Sequence, residues 1–115
     1  MKLFCSDLDG TLVGNPEGTE RFRRAWETVP GEPVLVYSSG RLLEDMLNLL
    51  HQEPLPKPHY LIAGVGTQIF DCRRERLLDD YSLTLEPNWK LSEVEQLAQD
   101  FPGMTRQPLE YQHRF

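Results

Sequence analysis

The chain has 115 residues and a mass of 13.4 kDa, the size of one small domain. Hydrophobic residues make up 39% of the sequence and charged residues 26%, a balance typical of a folded soluble domain rather than a disordered segment. The net charge is −6, and the basic residues are interleaved with acidic ones. Because nucleic acids and anionic membranes require clustered positive charge, we expect neither as a partner.

The N-terminal residues do not have the pattern of a secretory signal, because their short apolar run is interrupted at Asp7. No apolar run approaches the roughly 18 residues of a membrane span. The two cysteines, Cys5 and Cys72, are too few for a disulfide framework and lack the spacing of metal ligands. We therefore expect a protein of the reducing cytoplasm.

The first half of the chain alternates predicted strands and helices. Three short apolar runs predict buried strands, at residues 2–6, 34–37 and 60–63. Two amphipathic segments between them predict helices, at residues 19–28 and 41–51. This β-α-β-α-β order indicates an α/β fold with a three-stranded parallel sheet.

The elements predicted after the third strand are shorter. Residues 68–70 and 76–78 predict a small hairpin. Residues 92–95 have the pattern of a capping box, which predicts a last helix that ends near Asp100.

Polar residues that suit phosphate chemistry follow the first two predicted strands. Asp7 and Asp9 come directly after the first strand, and Ser39 and Gly40 follow the second, at the carboxyl ends where such sheets bind ligands. Two nearby carboxylates form a hard-oxygen site that suits Mg²⁺. A carboxylate can also attack phosphorus while its neighbour acts as acid and base. The Ser39 hydroxyl and nearby amides at a helix start can hold phosphate oxygens.

Each of these residues also has a structural interpretation. An isolated Asp-x-Asp pair is more often a turn or a helix cap, and the Ser39 hydroxyl can cap the helix that follows it. The combination of Asp-Leu-Asp-Gly-Thr after the first strand with Ser-Gly-Arg after the second favours the functional interpretation. Two roles remain open for Arg41, a contact with the substrate and a cap on the second helix.

Residues 7–11, Asp-Leu-Asp-Gly-Thr, resemble the first motif of the haloacid dehalogenase (HAD) superfamily of phosphatases, and residues 39–41 resemble the second. The segments at 6–9, 37–41, 65–69 and 88–90 also resemble, in order, those of sucrose-phosphate phosphatases and close sugar-phosphate phosphatases. This resemblance implies a HAD-like Rossmannoid three-layer core. Residues 1–79 would be the first half of that core, and residues 80–115 the incomplete beginning of an α+β cap.

The resemblance also implies a mechanism and a set of roles. Asp7 would be a Mg²⁺ ligand and the nucleophile that forms an aspartyl-phosphate. Asp9 would act as acid and base and hold the metal through its backbone carbonyl. Thr11 would orient Asp9 and, with Ser39 and the Gly40 amide, complete the phosphate-binding set, while Arg41 is a candidate substrate contact. The expected substrate is a sugar phosphate, with sucrose 6-phosphate first and another sugar phosphate as the alternative.

The chain departs from the family pattern where two later motifs would follow. The lysine that holds the phosphate and the acidic motif that completes the Mg²⁺ site are missing, since Lys57 and Lys90 lie elsewhere and Asp79-Asp80 fits a hinge into the cap. Without that half, the first strand would be an exposed apolar edge, so we expect self-association or pairing with a C-terminal half. A non-catalytic module that docks on that half or on a sucrose-phosphate synthase is the alternative from another class.

Overall fold

The computed structural model of the protein describes residues 1–111. The strands are β1 (Leu3–Ser6), β2 (Val34–Ser38), β3 (Tyr60–Ala63), β4 (Gln68–Asp71) and β5 (Arg76–Leu77). They form one sheet in the order β1-β2-β3-β4-β5. The first three strands are parallel, and β4 and β5 continue the sheet as an antiparallel hairpin. The α/β fold with three parallel strands, predicted from the sequence, is therefore confirmed.

Within residues 1–111, four α-helices connect and follow these strands. They are α1 (Pro16–Glu27), α2 (Leu43–Gln52), α3 (Asp79–Leu85) and α4 (Leu91–Ala98). Helix α1 begins before the predicted start at residue 19, because the Asn15 side chain accepts a hydrogen bond from the Gly18 amide at 3.2 Å. Pro16 in the first turn has the backbone geometry that a helix start requires.

In the second half of the chain the predicted last helix forms, but the start predicted for it was wrong and one further helix was missed. The capping box at Ser92 does not form, because α4 begins earlier, with Lys90 at its N-cap and no side-chain cap. Helix α3 was not predicted, although Asp79 and Asp80 occupy its first turn, where carboxylates favour the helix dipole. The Tyr81 hydroxyl donates to the Gly66 carbonyl at 2.6 Å, so α3 is held against the loop after β3. Residues 112–115 of the expected cap segment lie outside the described residues.

The core lies between one face of the sheet and the helices that connect its parallel strands. Because side chains alternate along a strand, Leu35, Tyr37 and Leu61 point to the same face, and all three are fully buried. Met46 of α2 packs on them. The Tyr37 hydroxyl donates to the Pro56 carbonyl at 2.9 Å, and burial raises the pKa of this phenol, which keeps it a donor.

The β1 edge of the sheet is open within residues 1–111. β1 pairs with β2 alone, and the Leu3 side chain is 61% exposed. Both cysteines are free, with Cys5 exposed on this strand. Among the same residues, no helix is both long enough and apolar enough to span a membrane.

We expect the chain to self-associate through β1, because an unpaired apolar edge strand offers backbone groups to another chain. Replacing Leu3 with lysine places a charge on the edge and should reduce association in sedimentation velocity runs over a range of concentrations. Leu97→Lys is the matched control, since Leu97 is 62% exposed on α4, away from the edge. A wild-type chain that remains monomeric at all concentrations, or equal effects of both substitutions, would contradict the expectation.

Candidate active site

A cleft of about 520 Å³ lies at the carboxyl ends of the parallel strands. β1 and β2 are paired in parallel up to Ser6 and Tyr37, so the segments that follow these strands emerge side by side. Five of the six residues predicted as site residues line this cleft: Asp7, Asp9, Ser39, Gly40 and Arg41. The structure thus brings together two loops that the sequence analysis associated with phosphate chemistry.

The loop after β1 is anchored to the core by the residue between the two aspartates. The Leu8 side chain is fully buried, and its carbonyl accepts hydrogen bonds from the amides of residues 11–13 at 2.9 to 3.2 Å. Gly10 has φ +74°, a left-handed conformation that glycine adopts without strain. This tight turn leaves Asp7 and Asp9 exposed on either side of a buried anchor.

Asp7 has one carboxylate oxygen engaged and one available. Its Oδ1 accepts a hydrogen bond from the Leu8 amide at 2.8 Å, which fixes the orientation of the carboxylate. Within residues 1–111, no hydrogen bond or ion pair is formed by Oδ2. A free carboxylate oxygen in a cleft is what both nucleophilic attack and metal binding require.

Asp9 is held by a guanidinium from the loop after β2. Arg41 donates from Nε to Oδ2 and from Nη2 to Oδ1, both at 2.7 Å, in the bidentate geometry of a strong ion pair. These hydrogen bonds are the main cause that lowers the pKa of Asp9, while partial burial opposes them and the Ser39 hydroxyl acts in the same direction as Arg41. Asp9 in turn raises the pKa of Arg41, so both partners are charged in this arrangement.

Arg41→Leu is expected to raise the pKa of Asp9 toward its ordinary value of 3.8. Because the pKa of Asp9 is lowered in the folded state, its ion pair with Arg41 stabilises the fold at pH values above the ordinary pKa of 3.8. This contribution to stability is lost as the pH falls through the lowered pKa. A carboxyl ¹³C NMR titration would follow Asp9 directly. Arg24→Leu, which removes a partner of Glu20 on α1, is the control. An unchanged Asp9 titration in Arg41→Leu would refute the assignment.

Ser39 and Gly40 form the second wall of the cleft. Ser39 is buried, its amide donates to the Ile62 carbonyl at 2.9 Å, and its Oγ accepts from the Arg41 amide at 3.1 Å. Helix α2 starts only at Leu43, and its N-cap Leu42 has no side-chain cap, so neither Ser39 nor Arg41 caps this helix. The structure therefore does not support the helix-cap interpretation of these two residues.

Thr11 is the one predicted site residue that the structure does not bring into the cleft. It is exposed, and within residues 1–111 its hydroxyl has no hydrogen bond to Asp9. Its amide donates to the Leu8 carbonyl at 3.2 Å, so its observed contribution is to the turn. The role of Thr11 in orienting Asp9 remains a prediction.

The structure adds lining residues that sequence reasoning missed. Gly64, Val65 and Thr67, from the turn after β3, form the third wall, and Val65 has the unusual φ of +57°. Gln107 and Tyr111 reach the same cleft from the segment after α4. The motif-like segment at 65–69 was a weak sequence signal for Val65 and Thr67, whereas no local sequence pattern marks Gly64, Gln107 or Tyr111.

The oxygen donors of the first loop match part of a Mg²⁺ site. Among residues 1–111, no three His, Cys, Asp or Glu side chains are grouped as metal ligands. Mg²⁺ is commonly held by one or two carboxylates together with water and substrate phosphate. The free oxygen of Asp7 and the Asp9 carbonyl, which accepts no hydrogen bond within these residues, are donors of that kind. The residues present therefore fit the ion and leave positions for further ligands.

Comparisons with known proteins agree on one family. The sequence pattern of sucrose-6F-phosphate phosphohydrolase matches residues 1–115. The mannosylfructose-phosphate phosphatase of Agrobacterium fabrum is 40% identical over 98% of this chain and 46% of its own length. Sucrose-phosphatase 1 of Nicotiana tabacum is 31% identical over 91% of this chain and 26% of its own.

A solved structure gives the same result at the level of the fold. The sucrose-phosphatase of Synechocystis sp. PCC6803, determined with sucrose and phosphate, superimposes with a TM-score of 0.87 at 26% identity. The match covers 98% of this chain and 46% of that one, so the chain spans about half the length of this relative. The chain belongs to the sucrose-6F-phosphate phosphohydrolase family of HAD-like phosphatases.

Proposed function

We propose that this protein is a Mg²⁺-dependent phosphatase that hydrolyses a disaccharide phosphate through an aspartyl-phosphate on Asp7. The observation that carries the proposal is the free Oδ2 of Asp7 in a cleft shared with Ser39, Gly40 and Asp9. The named activities of the relatives concern sucrose phosphate and mannosylfructose phosphate. Both are phosphate monoesters of disaccharides, and sucrose 6-phosphate is the first candidate.

In the proposed reaction, an Asp7 oxygen attacks phosphorus and the bond from phosphorus to the sugar oxygen breaks. Asp9 is ionised in this structure, so it first takes up a proton from solvent and then gives that proton to the sugar oxygen. Afterwards it takes a proton from the water that hydrolyses the aspartyl-phosphate and frees Asp7. The Ser39 hydroxyl and the Gly40 amide would hold the phosphoryl oxygens. Bound Mg²⁺ would offset the negative charge that collects on these oxygens.

The ion pair with Arg41 has a consequence for this reaction. Both oxygens of Asp9 accept hydrogen bonds from Arg41, so at least one of these bonds must break before Asp9 can carry a proton to the sugar. The guanidinium lies at the cleft, where the phosphate or the hydroxyl groups of a bound substrate offer it other acceptors. We therefore propose that Arg41 releases the Asp9 carboxylate when substrate enters the cleft and donates hydrogen bonds to the substrate instead.

Release of inorganic phosphate from sucrose 6-phosphate and mannosylfructose phosphate, with Mg²⁺ and with EDTA, tests the proposal. Glucose 6-phosphate is the monosaccharide control. A second assay does not depend on turnover: with Mg²⁺, beryllium fluoride should form an adduct on Asp7 that ¹⁹F NMR detects. Turnover that requires the metal and a disaccharide would support the proposal. The absence of both turnover and the adduct would refute it.

The second candidate is a module that is not an enzyme by itself and pairs with another chain. It is favoured by the open β1 edge and by the small number of metal ligands within residues 1–111. Its partner would be a separate C-terminal half or a sucrose-phosphate synthase. Phosphate release that appears only after such a chain is added would favour this candidate.

A further inference from the structure

A second cavity, of about 570 Å³, lies away from the candidate active site. We call it the hairpin groove, because it lies between α2, the proline-rich connector and the β4–β5 hairpin. Phe70 is paired with Leu61, so its side chain points to the same face of the sheet as the core. Leu50 of α2, Leu55 of the connector and Cys72 after β4 complete the apolar surface of the groove.

The walls of the hairpin groove are tied to the core. The Tyr37 hydroxyl holds the connector at Pro56, and the Cys72 amide donates to the His59 carbonyl at 2.9 Å. The volume falls in the range of small-molecule sites, about 300 to 1,000 Å³. The open edge of the sheet is β1, at the opposite side from the hairpin, so strands added at that edge would leave the groove uncovered. The groove is thus a preformed apolar cavity.

The rim of the groove carries an ammonium group that is not ion-paired in the part of the chain that the structure describes. Lys57 is exposed and has no ion pair within residues 1–111. His51 Nδ1 donates to the Leu47 carbonyl at 2.7 Å, which holds the imidazole ring against α2. Glu75 also lines the rim and gives it one negative charge. An apolar cavity with a free ammonium at its mouth matches a ligand that has an apolar body and one anionic end.

We propose that the hairpin groove binds a small amphipathic anion, with its apolar body against Leu50, Leu55 and Phe70 and its carboxylate or sulfonate beside Lys57. A sugar phosphate does not match this lining, because its hydroxyl groups would face apolar side chains without hydrogen-bond partners. The groove is therefore a site distinct from the cleft at Asp7. The inference does not depend on the proposed phosphatase activity.

The two parts of the proposal can be separated with a pair of fluorescent probes. 1-Anilinonaphthalene-8-sulfonate has an apolar body and an anionic group, and N-phenyl-1-naphthylamine is the same body without the charge. Lys57→Gln should weaken sulfonate binding about two- to fivefold, the effect of losing an exposed ion pair. It should leave binding of the neutral probe unchanged, and Glu75→Gln should strengthen sulfonate binding. Lys90→Gln is the matched control, since Lys90 lies at the N-cap of α4, does not line the groove, and forms an ion pair with Glu93.

The site of binding can be located without any substitution. Cys72 lines the groove and Cys5 is exposed on β1, so the two thiols report on different surfaces. Burial raises the pKa of Cys72 to about 11, and alkylation by neutral iodoacetamide is therefore followed at pH 9 over hours, with each cysteine peptide quantified by mass spectrometry. The neutral probe, at about ten times its dissociation constant, should slow alkylation of Cys72 about tenfold and leave Cys5 unchanged.

Protection of Cys72 alone, together with a loss of sulfonate affinity in Lys57→Gln, would support the proposal. If the saturating neutral probe does not protect Cys72, the probe binds elsewhere and the groove is not a ligand site. If Cys72 is protected but Lys57→Gln binds the sulfonate as wild type does, the assignment to an anion is overturned.

Discussion

Asp7→Asn is expected to abolish Mg²⁺-dependent phosphate release, with a loss of at least about 10⁴-fold, the effect seen when a covalent nucleophile is removed. The amide has the shape of the carboxylate, and its oxygen can still accept the hydrogen bond from the Leu8 amide. It lacks the negative oxygen that attacks phosphorus and binds the metal. The fold should therefore stay nearly unchanged while the chemistry is lost.

The measurement is the rate of phosphate release from sucrose 6-phosphate, accompanied by ¹⁹F NMR of the beryllium fluoride adduct and far-UV circular dichroism. Asp100→Asn makes the same chemical change at an exposed residue after α4 and should preserve both the rate and the adduct. A near-normal Mg²⁺-dependent rate in Asp7→Asn would exclude Asp7 as the nucleophile. Loss of the rate with loss of the circular dichroism signal would instead show that Asp7 supports the fold.

Leu8→Ala is expected to lower the free energy of unfolding by about 2 to 5 kcal/mol, the range for a fully buried leucine. The free energy of unfolding of small domains is about 5 to 15 kcal/mol, so the substitution would remove a large part of the stability. Leu8 is also the buried anchor between Asp7 and Asp9, and its carbonyl closes the turn that presents them. The cavity left by the substitution should therefore disturb the candidate site as well as the core.

Urea unfolding monitored by tryptophan fluorescence measures this effect, with an unchanged slope as evidence that the denatured state is the same. Leu97→Ala removes the same atoms from an exposed side chain and should change stability by no more than about 0.5 kcal/mol. Equal unfolding midpoints for the two variants would show that Leu8 does not anchor the loop to the core.

The local sequence was sufficient to predict the elements whose signals are local. β2 and β3 are short apolar runs, of which β2 ends at Ser38 and β3 is followed by glycine, and such runs predict parallel strands wherever helices connect them. Helix α3 was missed because it has only 7 residues, too few for a helical period to stand out from the flanking sequence. The start of α4 was misplaced because Ser92 has a capping pattern, whereas in the folded chain the helix starts at Leu91.

The sequence by itself determined that Asp7, Asp9, Ser39 and Gly40 would meet, because parallel strands bring their carboxyl ends to one edge of the sheet. Only the tertiary structure decided that Arg41 pairs with Asp9 across a separation of 32 residues. It also decided that the segment containing Gln107 reaches the cleft and that a groove opens beside α2. These contacts depend on strand register, helix placement and side-chain direction, which are set by packing across the whole domain rather than by neighbours along the chain.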